Sequence, residues 1–365
     1  MRLGTAFANG CTHFNNPHGI CKRWGRLGSA VANLAALRVT RGLLLTFALI
    51  CGALLTSASA EEWAVPDVDA LPMDAFGRTV RIGRDLIAHT AGTIGPDASD
   101  PAKRFSGNGL ECQSCHLDAG RKKFGLPLAG IWGIYPQFIS RENEVRTLED
   151  RINGCMERSM NGRALPPDSP EMKAMLTYIR FISAGFPTGR GAEGRGASPL
   201  PLPAAASNPK HGEAVFAETC AMSHQADGQG KRWGPEDAAQ RHRYQFPPLW
   251  GPDSYNDGAG MARPITAANF IRANMPLGTD YVHPVLNTQD AFDVAVFVDS
   301  HPRPHRLGNE RDFPDRALKP ADANYPPFLG PFPPLQHLTG PRQPIQQWQK
   351  DNAQSLRRNS PAPGG

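Results

Sequence analysis

GLECQSCHLDAGRKKFG, residues 109–125, contains the pentapeptide Cys112-Gln-Ser-Cys115-His116. Two thiols at this spacing can each add to a vinyl group of haem while the adjacent imidazole binds the iron. From the chain's own cysteine and histidine content roughly 0.004 such pentapeptides would arise by chance, so coincidence is a poor explanation. A zinc half-site would want a second Cys/His pair at matching spacing, and none is evident. Haem c at Cys112, Cys115 and His116 is the expectation.

The flanks fit a small cytochrome c domain over residues 61–185. Before the motif, Phe76, Val80 and Ile87 fall on one face of a helix predicted for 74–90. After it come a stretch broken by Gly and Pro, GLPLAGIWGIYPQF (125–138), and a charged helix candidate, EVRTLEDRINGCMERSM (144–160). The unit closes with SPEMKAMLTYIRFISAG (169–185), where Ser169 is the expected N-cap, Pro170 opens the helix and Gly185 stops it.

Residues 186–209, FPTGRGAEGRGASPLPLPAAASNP, carry almost no large apolar side chains and read as an inter-domain linker. The pattern then repeats over 210–305: a short helix in HGEAVFAETC, the motif CAMSH (220–224), and helices in TAANFIRANM and TQDAFDVAVFVDS. From 301 to 365 the chain holds 13 of its 35 prolines, which argues against long helices or strands. Phe313, Tyr325, Phe328 and Phe332 are expected to dock that tail, with disorder after about Trp348. The fold class is therefore mainly α: two tandem cytochrome c domains followed by a Pro-rich, irregular C-terminal tail (306–365).

Residues 1–60 carry six bases and no acid, and Arg41 precedes the apolar run LLLTFALICGALL and then SASA. That reads as an export leader with cleavage near Ala60, giving a periplasmic protein with no stable membrane insertion. The remaining 33 bases and 34 acids leave a net charge of −1 in place of the whole chain's +5, which removes the support for nucleic-acid binding. Of seven cysteines, Cys112, Cys115, Cys155 and Cys220 lie outside the leader.

A sixth iron ligand is needed at the first haem. Cys155, in RINGCMERSM, is one candidate; the alternative makes Cys155 a buried core residue and Met156 or Met160 the ligand. Arg151, Cys155 and Ser159 lie at i, i+4 and i+8, one face of one helix.

The runs CQSCHLDAG, YPQFISRENEVRTLEDRINGCMERSMNGRALPPDSPEMKAMLTYI, LWGPDSYNDGAGMARPITAANFIRANMPLG, SHPRPH and ERDFPDRALKP resemble the dihaem thiosulfate dehydrogenase family over about residues 75–345. The first domain is also similar to the haem subunit of the sulfur-oxidising complex. The resemblance implies His116 and Cys155 as iron ligands, and Arg141, Arg151 and Ser159 with Cys155 as active-site residues. It implies coupling of two thiosulfates to tetrathionate, in either direction, with electrons leaving through a second haem to a soluble acceptor cytochrome or similar carrier. Two thiosulfate dianions about 4 Å apart repel by roughly 4 kcal/mol even in water, so cationic side chains are required there. The alternatives are a dihaem electron carrier without substrate chemistry, or a subunit acting on a carrier-protein cysteine.

The second site departs from the family pattern. Cys220 and His224 are present, but Ser223 stands where the second cysteine belongs, so haem there has at most one thioether. Met275, in RANMPLG, matches the family's distal ligand; Met261, in GAGMAR, is the weaker candidate.

Overall fold

Three helices build the first half of the computed structural model, which describes residues 63–234 and 241–358. They are α1 (Ala75–Ala88), α2 (Leu148–Arg158) and α3 (Pro170–Ile182). Asp74 caps α1 by accepting from the Gly77 amide at 2.8 Å. Ser169 Oγ caps α3 by accepting from the Met172 amide at 3.2 Å, with Pro170 in the first turn as its sequence predicts. α1 crosses α3 so closely that a Cβ at Gly83 would run into the Ala174 carbonyl. Val80, Ile87, Met172, Met175, Tyr178, Ile179 and Ile182 are buried between them. Each such side chain contributes on the order of 1.5–3 kcal/mol. Phe76 departs from the expected burial: it is 50% exposed, with its ring centroid 6.4 Å from that of Phe181 in an edge-on arrangement. It sits in the first turn of α1, near the end of the crossing, where there is little left to cover it.

A two-stranded hairpin, β1 (Gln137–Ile139) with β2 (Glu144–Arg146), pairs Phe138 with Val145 and leads into α2. α2 starts at a reciprocal cap between Thr147 and Asp150.

The second half repeats the plan with α4 (Pro209–Thr219), α5 (Pro264–Asn274) and α6 (Thr288–Asp299). α6 packs on both others and buries Phe292, Val294, Ala295 and Val298 against Phe216, Trp250, Ala267 and Ala268. A short hairpin, β3 (Lys231–Arg232) with β4 (Tyr244–Phe246), lies between α4 and α5. The segment 186–209 lies against the protein: Ala192 and Ser207 are buried, and Leu200 and Leu202 cover the second core. The described residues form one compact unit. Arg243 Nε donates to Glu111 at 2.8 Å and Asn274 Nδ2 donates to the Phe124 carbonyl at 3.0 Å across the two halves.

The tail differs from expectation. Phe313 and Tyr325 dock as predicted, at 3% and 4% exposure. Beyond them the chain forms helices α7 (Pro334–Thr339), α8 (Gln343–Asp351) and α9 (Ala353–Arg358), in place of irregular chain and disorder past Trp348. Pro334 and Pro344 lie in the first turns of α7 and α8, where a missing N–H breaks no helical bond. Ile345 and Trp348 then anchor α8 against Ala321, Leu329 and Phe332.

The expected leader, residues 1–60, lies outside the described residues. Among those described, no helix is long and apolar enough to cross a membrane.

Candidate active site

Cys112 begins a tight turn in which both the Cys115 and the His116 amides donate to the Cys112 carbonyl, at 3.3 and 2.9 Å. Cys115 and His116 line a cavity, and Cys112 packs against the first core. His116 Nδ1 lies 2.5 Å from the Leu126 carbonyl, which fixes the ring and leaves Nε2 as the free ligand atom. Thr90 Oγ1 accepts from the Cys112 amide at 3.0 Å, tying the motif to the end of α1.

A cavity of about 750 Å³ opens on this motif. Cys115 and His116 form one end, and Arg151, Cys155 and Ser159 line a wall from one face of α2, as the i, i+4, i+8 spacing predicts. Arg151 Nη1 lies 3.0 Å from Cys155 Sγ. Burial alone would push the Cys155 thiol up, but the Arg151 charge, with His116 beside it, brings it down to about 6. Burial pushes Cys112 and Cys115 up to about 12. Cys155 is therefore the thiolate-forming sulfur of the three and faces His116, whereas Met156 and Met160, the alternative ligands, are buried in the core. All four described cysteines are free of disulfides.

Arg141 reaches the same cavity from the hairpin, but its Nη1 is engaged by the Gly258 carbonyl at 2.5 Å and by Asp312 at 3.3 Å. Burial pulls its guanidinium below the usual range. Its carboxylate partner thus comes from the tail, far along the chain. Three further residues escaped sequence reasoning. Asp312 receives Arg158 in a two-pronged pair, Nη1 at 2.9 Å and Nη2 at 2.7 Å, and accepts the Tyr325 hydroxyl at 2.7 Å. Arg263, at the start of α5, also lines this cavity. None has a local pattern; only spatial proximity reveals them.

CAMSH folds as CQSCH does. The Ser223 and His224 amides both donate to the Cys220 carbonyl, at 3.1 and 2.9 Å, and His224 Nδ1 lies 2.8 Å from the Pro247 carbonyl. Burial lowers the His224 imidazole, which favours the neutral, iron-binding form. A separate cavity of about 390 Å³ contains Cys220, Ser223, His224, Met261 and Met275, among mostly apolar neighbours such as Phe270 and Val294. Both candidate methionines are present, so geometry leaves the pair together. The donor sets at both sites suit haem: a carbonyl-fixed imidazole, at least one cysteine in the attachment turn and a sulfur ligand on the cavity wall. Cys115 and Met261 line both cavities, which therefore share a wall.

Residues 102–188 match the family model described as SoxA/TsdA, cytochrome c domain. The chain is 42% identical over 244 residues to thiosulfate dehydrogenase of Allochromatium vinosum, covering 66% of this chain and 84% of that protein. It is 38% identical over 243 residues to thiosulfate dehydrogenase of Thiomonas intermedia, covering 67% and 72%. Among solved structures it is similar to thiosulfate dehydrogenase (TsdBA) from Marichromatium purpuratum, with TM-score 0.61 and 36% identity, covering 69% of this chain. The match spans about half, 52%, of that longer chain. With two cysteine–histidine turns, a thiolate facing the first imidazole and these relatives, the chain belongs to the thiosulfate dehydrogenase family of c-type cytochromes.

Proposed function

We propose that this protein joins two thiosulfates into tetrathionate in the cavity lined by Arg151, Cys155 and Ser159. The observation that carries the reading is Arg151 Nη1 at 3.0 Å from Cys155 Sγ, a thiolate and a cation at a cavity wall beside His116. Cys112, Cys115 and His116 would hold haem here, with Cys155 as a further ligand candidate, and the group would supply electron-accepting capacity. The chain's own residues do the rest. Arg151 and the free donors of Arg141 hold sulfonate oxygens, and Ser159 adds a hydrogen bond. The Cys155 thiolate bonds to the terminal sulfur of one thiosulfate as two electrons leave, giving Cys155–S–S–SO3⁻. The terminal sulfur of a second thiosulfate then attacks the adduct's middle sulfur. Tetrathionate departs and the Cys155 thiolate is restored.

Cys220, His224 and a methionine, Met275 by its family position, hold the second haem for electron exit to a soluble acceptor cytochrome or similar carrier. Cys220 is its single tether, because the Ser223 hydroxyl does not add to a vinyl group as a thiolate does. Residues 61–185 and 210–305 act as tandem cytochrome c domains joined by 186–209, and the start of the tail, Arg306 to Phe313, lines the first cavity. Export to the periplasm through residues 1–60 completes the reading.

The test is haem-loaded protein with thiosulfate and ferricyanide, quantifying tetrathionate. Wild type forms it; Cys155→Met keeps a low-spin haem spectrum and forms none. Absence of product from wild type, alongside normal electron exchange with cytochromes, would make the protein a carrier instead.

A further inference from the structure

Seven arginines and four carboxylates line the first cavity. Most of the arginines are committed. Arg158 and Arg141 share Asp312, at 2.7 and 3.3 Å. Arg146 pairs with Glu144 at 3.1 Å, Arg306 with Glu157 at 3.3 Å, and Arg311 with Glu310 at 3.8 Å. Among the described residues, Arg151 and Arg263 alone of the arginines lining this cavity have no carboxylate within ion-pair distance. Arg151 is the cation already placed beside Cys155. Arg263 has one hydrogen bond, from Nη2 to Thr266 Oγ1 at 2.8 Å, and its Nε is buried without an acceptor. Thr266 lines the cavity with it, and the Arg263 charge is close enough to depress the Arg141 guanidinium.

We infer that Arg263, with Thr266 positioning it, is a second anion subsite of this cavity, which binds the sulfonate of the second thiosulfate. This rests on the two-thiosulfate reading above and assigns its second substrate a place. The physical reason is charge. A guanidinium left without a carboxylate at a cavity wall is free to meet an oxyanion, and its planar donors match sulfonate oxygens. Two dianions must be held together against mutual repulsion, and two guanidiniums without carboxylates in one cavity offer each sulfonate its own cation. The tail-held arginines Arg141 and Arg158 keep the background potential positive but have a carboxylate already. Arg263 is thus a binding residue of the attacking thiosulfate, and no electron or covalent bond passes through it.

The experiment is calorimetric titration of the reduced holoprotein with thiosulfate, where no electrons can leave and binding is read without turnover. Wild type is expected to take two thiosulfates per chain, and Arg263→Gln and Arg151→Gln one each. Arg263→Lys should keep two, the second at least about tenfold weaker. Unchanged haem absorption and far-ultraviolet dichroism exclude misfolding of the variants. Two sites in Arg263→Gln overturns the assignment. One site in wild type also overturns it while leaving a thiosulfate site at Cys155 intact. No binding to wild type removes the thiosulfate reading and the subsite together.

Discussion

Arg151 Nη1 and Cys155 Sγ stand 3.0 Å apart across one turn of α2, so in the proposed reaction one cation would both recognise the oxyanion and hold the reacting sulfur. Arg151→Gln removes both effects. Turnover is expected to fall about 10- to 100-fold, which is ~1.4–2.8 kcal/mol of transition-state stabilisation. Arg151→Lys should recover part of it. Steady-state tetrathionate formation at saturating and limiting thiosulfate separates the loss in kcat from that in KM; an unchanged kcat would mean Arg151 only binds.

Asp312 predicts a stability effect. It sits 154 residues beyond Arg158, which is buried. Asp312→Ala leaves that guanidinium with only Glu142, at 3.9 Å, as a carboxylate, which costs up to about 3–5 kcal/mol. The denaturant midpoint should drop accordingly, and turnover with it. The double change Arg158→Met with Asp312→Ala should lose less than the two single changes added together.

Ser223→Cys should give the second haem its missing thioether. The amide pattern at Cys220 already matches that at Cys112, so no backbone shift is needed. In alkaline pyridine the ferrous band should move toward the position of two-thioether haem, and less haem should come away in acidified acetone. An unmoved band would mean that the second site holds no singly tethered haem.

Lys319 predicts a pH effect. It is 1% exposed and donates to the Tyr325 and Pro327 carbonyls at 2.9 and 2.8 Å, two bonds that a neutral amine can make. Burial, with Arg316 beside it, pulls the amine down to about 7. Between about pH 7 and the unfolded value near 10.4 the unfolded chain holds the extra proton. Stability therefore rises with pH across that window, by at most about 1.4 kcal/mol per pH unit from this group. Denaturant midpoints of wild type and Lys319→Met at pH 7, 8 and 9 check it: the variant's profile should be the flatter one.

Much of this was legible in the chain. The periodicity of Val80 and Ile87 located α1, and Ser169-Pro170 located the start of α3, because capping and helical spacing are local properties. The same locality placed Arg151, Cys155 and Ser159 on one wall. Phe76 shows the limit: its helical phase was right, yet burial depends on where the partner helix ends. Pro334 and Pro344 were read as helix breakers, whereas proline at the first turn starts a helix as readily as one further in ends it. Asp312 and Arg263 were invisible for a different reason. Their meaning lies in which charges are already satisfied, a property of the folded cavity.

The Arg158–Asp312 pair also orders events in time. The thiolate, the attachment cysteines and the anion-binding face of α2 are all made in the first half of the chain, yet the carboxylate that sets the arginines around them arrives in the last fifth. A nascent or C-terminally clipped chain could carry the first cofactor and show a cytochrome's colour while its substrate chamber stood open. Colour would then report maturation of the haem, and only closure by the tail would report a working enzyme.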